Sequence, residues 1–141
     1  MQYRHILFAT DIDDGSLHNV RKALDLSRAL SDKFSLLHVA PDSISDLAMG
    51  SAKLYEEILD TSKAEIMKIA KALGIPKSDQ YVIEGSPKEV ILMFAEKANI
   101  DLIILNSHRH NWLEMLGATT NYVVNKAQCD VLIIDNDKNQ K

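Results

Sequence analysis

Cysteine is nearly absent from these 141 residues, with Cys129 standing alone. A lone thiol forms neither an intrachain disulfide nor a thiolate metal cluster, which fits a reducing compartment and an expected cytoplasmic location. Long apolar runs are missing too. Nothing approaches the ~20 residues that cross a bilayer, and the apolar stretch in MQYRHILFAT is far too short for a signal-peptide core. Positive charge is in deficit, 16 Lys and Arg against 20 Asp and Glu, for a net charge of -4. That balance removes the electrostatic basis for nucleic acid or an anionic membrane as partner. No HExxH spacing, nucleophile elbow, Walker sequence, internal repeat or low-complexity segment occurs.

What is present is a regular alternation. Five short apolar runs, HILFAT (5–10), FSLLHV (34–39), QYVIE (80–84), DLIIL (101–105) and VLIID (131–135), are separated by helix-patterned segments. Runs apolar on both faces suit a parallel sheet covered by helices on each side. The length suits one domain over 1–141, with the polar end 136–141 expected to be a disordered tail.

Punctuation marks the helices. Ser16 is expected to cap the first, with Leu17, Val20, Ala23, Leu24 and Leu30 inward. The second is expected over 52–73, burying Leu54, Ile58, Ile66, Ile69 and Leu73, with Gly74 as a left-handed cap and Pro76 blocking continuation. In SPKE, Ser86 is an N-cap, Pro87 the first helical residue and Glu89 the third member of a capping box; Val90, Ile91, Phe94 and Ala98 face inward. The fourth helix starts near Ala118 and carries Val123, Val124 and Ala127. Between the second strand and second helix, 42–53 reads as a mobile loop or lid.

The pattern predicts a three-layer α/β/α sandwich with a five-stranded parallel sheet. Right-handed crossovers leave the orders 3-2-1-4-5 and 2-1-3-4-5. In the first, ligands bind beyond the carboxyl ends of strands one and four, where ATDIDDGS and LNSHRHNWLEMLGATT lie.

Several stretches resemble the universal stress protein family. YRHILFATDIDDGS is similar to its first strand, acidic turn and helix start, KFSLLHV to its second strand, EGSPKEVILMFAEKANIDLIIL to its third helix and fourth strand, and NKAQCDVLIID to its closing helix and strand. The resemblance covers essentially the whole chain. It implies the 3-2-1-4-5 sheet of adenine nucleotide alpha hydrolase-like folds and a homodimer. Nucleotide-binding members carry glycine, two residues, glycine, a spacer, then glycine and a hydroxyl residue. The matching positions here are Asn106, Arg109, Gly117 and Ala118, with only seven residues between Arg109 and Gly117. NSHRHNW instead resembles the short tryptophan-containing loop of the UspA-like group.

The cradle works through backbone N–H groups, with glycine allowing close approach and a helix N-terminus supplying donors. Asn106 reaches left-handed geometry more readily than most residues. Arg109 either fills the phosphate space or grips a phosphate. Ala118 lacks a hydroxyl, but Thr119 and Thr120 share its turn, and a lost neutral hydrogen bond costs only about 0.5–1.5 kcal/mol. The shortened loop is the heavier obstacle. If AMP or ATP binds, the resemblance implies Thr10 and Asp11 under ribose and phosphates, Asp11 sharing magnesium when the ligand is ATP. It implies Val39 meeting adenine by its backbone, and Ser107, His108, Arg109 and Gly117 to Thr120 facing the phosphates.

The leading expectation is therefore a homodimeric stress-response binding module of the UspA-like group, not an enzyme. The alternative is a competent AMP or ATP binder. Weak nucleotide hydrolysis, or phosphoryl or adenylyl transfer, by Asp11, a metal and His108 ranks last, since no base–nucleophile pair is evident. His108 and His110 read as rim polarity more readily than as metal ligands, His38 as a hydrogen-bonded core histidine, and Cys129 as core. His5 and His18 carry no signal, and Asp13 and Asp14 read as a solvated acidic turn. Val131, Leu132, Ile133 and Ile134 form an edge without charge or proline, which predicts pairing with a second copy.

Overall fold

The computed structural model describes residues 2–13, 15–41, 46, 48–107 and 117–135. Strands β1 (Ile6–Ala9), β2 (Phe34–Pro41), β3 (Gln80–Gly85), β4 (Leu102–Asn106) and β5 (Asp130–Ile134) alternate with helices α1 (Ser16–Leu30), α2 (Ala52–Leu73), α3 (Pro87–Lys97) and α4 (Ala118–Lys126). The sheet has the order β3-β2-β1-β4-β5, every pair parallel. Of the two orders open to the pattern, this is the one that sets β1 beside β4, in register Ala9 to Leu105.

Strand alternation sorts the core into two layers. Ile6, Phe8, Leu36, Leu102 and Ile104 pack with Val20, Ala23 and Leu24 of α1 and Ile66, Ile69 and Ala70 of α2. Leu7, Leu37, Val39, Ile103 and Leu105 pack on the other face with Val90, Ile91 and Ala95 of α3 and Val123 of α4. Both-face burial is what the continuous apolar runs of a parallel sheet require.

Helix ends depart from expectation in instructive ways. Ser16 is the first residue of α1, not its cap; Gly15 holds that position. The Ser16 hydroxyl works backward, accepting from the Asp13 amide at 2.7 Å and donating to the Asp11 carbonyl at 2.7 Å. Asp13 Oδ1 accepts from the Gly15 amide at 2.9 Å, so Asp13 closes the turn as well as facing solvent. The capping box at α3 does not form. Ser86 takes the N-cap without a side-chain bond, and its carbonyl receives the Glu89 and Val90 amides at 3.1 and 2.9 Å. Pro87 pre-sets the backbone there, so the turn closes by main chain. Gly74 caps α2 at φ 71°, with the Ile75 amide returning to the Ala70 carbonyl at 2.8 Å.

Three residues expected inside lie outward: Leu17, Leu54 and Val124 are 41%, 39% and 44% exposed. For α2 the reason is length. Its 22 residues run about 33 Å, and only Ile66, Ile69 and Ala70, in the second half, are buried. In the first half Leu54 is exposed and Ile58 half-buried. Of the stretch 42–53, residues 42–45 and 47 lie outside the described residues, as do Asp14 and the end 136–141; Ser51 Oγ caps α2 by accepting the Leu54 amide at 3.2 Å.

Candidate functional site at the carboxyl ends of strands one and four

Because β1 and β4 are neighbours whose chains leave toward opposite faces, a crevice opens where they part. Its first wall is the end of β1. The Thr10 amide extends the ladder to the Leu37 carbonyl at 2.8 Å, and the Thr10 hydroxyl donates to the Asp11 carbonyl at 2.9 Å. His38, 7% exposed, donates from Nδ1 to the Thr10 carbonyl at 2.9 Å. The strand histidine is thus a hydrogen-bonded core residue, and it pins the residue that borders the crevice.

The second wall is the end of β4. Asn106 is 5% exposed and its Oδ1 is buried without a hydrogen-bond partner among the described residues. By alternation with Leu105 its side chain shares the side of Leu102 and Ile104, the α1–α2 face. Burial of that acceptor carries a desolvation cost. Ser107 turns elsewhere. Its hydroxyl donates to Asp135 Oδ1 at 2.6 Å and its amide to the Ile134 carbonyl at 2.9 Å, tying it to the end of β5.

A cavity of about 110 Å³ joins these walls, lined by Ala9, Thr10, Asp11, Val39, Pro87, Ile91, Leu105, Asn106, Thr119 and Thr120. One side is an aliphatic slot; the other is the first turn of α4. A helix leaves its first-turn amides without intrahelical partners and carries partial positive charge at that end. Gly117 is the N-cap of α4 in extended conformation, without a side-chain cap bond, and Ala118 is exposed beside it. Among the described residues Asp11 is the only ionisable one in the lining. Among the described residues no group of three or more His, Cys, Asp or Glu is placed to hold a metal ion. The expectations for His108, Arg109 and His110 fall outside the described residues.

Six residues assigned from sequence meet here: Thr10, Asp11, Val39, Asn106, Thr119 and Thr120. Pro87 and Ile91 were not among them. Sequence reading sees a helix start and a core position. Only the crossover of α3 from edge strand β3 back toward β4 carries its first turn over the switch point. A larger cavity, about 320 Å³, opens at the opposite rim among Ile100, Ile103, Lys126 and Cys129. It lies at the amino ends of β4 and β5, away from the strand ends where ligands bind in such sheets. Burial pushes the Cys129 thiol up from its ordinary value, so it is a poor nucleophile.

Fold and crevice define a class: parallel α/β sandwiches with a polar-and-apolar cleft at the switch point. The family model of the universal stress protein family matches residues 2–135, and the chain belongs to that family. Universal stress protein A homolog 2 of Coxiella burnetii is 35% identical over 138 residues, spanning 94% of each chain. Among solved structures, hypothetical protein MJ0577 superposes with a TM-score of 0.79 at 24% identity, covering 99% of this chain and 100% of its own. A universal stress protein in complex with cAMP gives 0.62 at 20% identity over 97% and 100% of the two chains. One from Archaeoglobus fulgidus in complex with dAMP gives 0.60 at 18% over 95% and 99%. At these identities the structural likeness is one of fold.

Proposed function

We propose that this universal stress protein binds a small adenine nucleotide in the β1–β4 crevice and acts through binding, not turnover, as a cytoplasmic homodimer. The observation that carries the reading is one cavity joining an aliphatic slot (Ala9, Val39, Pro87, Ile91, Leu105) to the first turn of α4 (Thr119, Thr120). A flat base wants the former and a phosphate the latter. Thr10 and Asp11 lie between, suited to ribose; Val39 offers backbone to adenine; Gly117 and Ala118 flank the phosphate end. Arg109 and His108 belong to the same phosphate-facing set by resemblance.

The cAMP and dAMP complexes of the two fold neighbours support an adenine ligand with a single phosphate. Magnesium enters only with ATP, through Asp11. Dimerisation is supported by β5, whose second edge pairs with no strand among the described residues.

Thermal shift with AMP, ADP and ATP, with and without magnesium, tests the nucleotide reading. AMP at about 100 times its Kd is expected to add about 2.7 kcal/mol of stability. No shift with any of them at millimolar concentration overturns it. Phosphate release from ATP that Asp11→Ala abolishes would instead mark an enzyme.

A further inference from the structure

Lys88 is the second residue of α3, exposed, with its ammonium 4.7 Å from the centroid of the Tyr122 ring on α4. Neither helix needs it there. A cation in the first turn of a helix opposes the macrodipole, which favours anions at that end. The contact holds the charge beside the crevice. Pro87, the residue before Lys88, lines the cavity, and so does Thr119, one turn ahead of Tyr122 on the same face of α4. Meanwhile, among the described residues, the lining contains one carboxylate, Asp11, and no cation. A phosphate entering the first turn of α4 meets helix amides and an acidic neighbour, with no full positive charge among the described lining residues.

We infer that Lys88 is a phosphate-binding residue held in reserve: its ammonium leaves the Tyr122 ring for the phosphate of a nucleotide seated in the crevice. The inference rests on the nucleotide reading above and deepens it, because it selects for the phosphate and is indifferent to the base. A lysine is suited to the move. Its ammonium is a point charge on a flexible stem, and a single exposed cation–π contact is weak enough to exchange for a phosphate. With Lys88 answering the ligand charge, AMP binding needs no magnesium.

The test is calorimetric titration of AMP and of adenosine into the wild type, Lys88→Met, Lys88→Arg and Tyr122→Leu, at low and at moderate salt. Lys88→Met is expected to weaken AMP about tenfold, as loss of a charge-assisted contact does, and to leave adenosine within about twofold. Lys88→Arg is expected to retain most AMP affinity. Tyr122→Leu, which removes the ring but leaves the ammonium, is expected to bind AMP at least as well as wild type. The salt dependence of AMP binding flattens in Lys88→Met. Equal AMP affinity in wild type and Lys88→Met overturns the inference while the nucleotide reading stands. Parallel losses for AMP and adenosine also overturn it, since they mark a structural role. If the wild type takes neither ligand, both fall together. Circular dichroism of each variant confirms the fold, and at an exposed position Lys88→Met is expected to preserve it.

Discussion

Gly85 shows how one atom governs the approach to the crevice. It ends β3 at φ 147°, a conformation that side chains rarely adopt, and an added Cβ would lie 2.7 Å from Val90 Cγ2. Val90 belongs to α3, whose first turn supplies Pro87 to the cavity. Gly85→Ala is expected to cost roughly 1–3 kcal/mol, the range for a residue held in a sparsely populated backbone region, read from the urea midpoint at unchanged slope. It should weaken nucleotide binding as well, because relieving the contact shifts the start of α3. A neutral midpoint would refute this account. Nothing in EGSPKE separates Gly85 from an ordinary turn glycine, since the collision arises only once α3 folds back on β3. Gly74, by contrast, is legible: a glycine after a long apolar periodicity and before proline has one common explanation.

At the scale of elements, β5 is the exposed question. The other edge, β3, carries Glu84, the kind of charge that discourages pairing, whereas β5 has its one charge at its first residue, Asp130, and Val131, Leu132 and Ile133 after it stay half-buried. Its start is anchored, with the Tyr3 hydroxyl donating to Asp130 Oδ2 at 2.7 Å. Antiparallel pairing of two β5 strands about a two-fold is the simplest closure. Sedimentation velocity at micromolar concentration is expected to show a dimer for the wild type and a monomer for Ile133→Lys, which puts a charge on that edge. A wild-type monomer would discard the interface. Helix positions were legible from periodicity, their rotations less so. α1 buries Ser16, Asn19 and Ser27 beside its aliphatics while Leu17 faces out, because the turn at Asp11–Ser16 sets where the helix begins.

For the whole molecule, acid sensitivity follows from a histidine that carried no signal in the sequence. His5 is 7% exposed where β1 meets β2 and the exit of α3. Its Nδ1 donates to the Ala98 carbonyl at 3.2 Å, leaving Nε2 to accept the Ser35 hydroxyl at 2.7 Å. Burial, chiefly, with Lys33 adding to it, holds its pKa below 6.5. The unfolded chain then takes up the proton first, so stability is complete above about pH 6.5 and declines as pH falls from there toward the folded value. Asp101 acts lower. Burial pushes its carboxyl up, but the Arg4 and His5 amides, donating at 2.8 and 3.0 Å, outweigh that and hold it below 3.8. Its contribution is present above that ordinary value and is lost as pH falls through the depressed one. Urea unfolding is expected to show wild type losing stability as pH falls below about 6.5, with a smaller loss in His5→Gln. Equal losses would remove His5 as the cause.

The sequence by itself determined the periods: apolar runs buried on both faces, helices between them, and the stop at Gly74. These are local properties, written in side chains that repeat every second or every third to fourth residue. The family resemblance added the order β3-β2-β1-β4-β5 and the meeting of Thr10 with Asn106; tertiary structure alone carried Pro87 and Ile91 over the switch point and tied Ser107 to Asp135. Such meetings depend on which strands pair and where crossovers land, and hydrogen bonds between residues far apart in the chain leave no period to read.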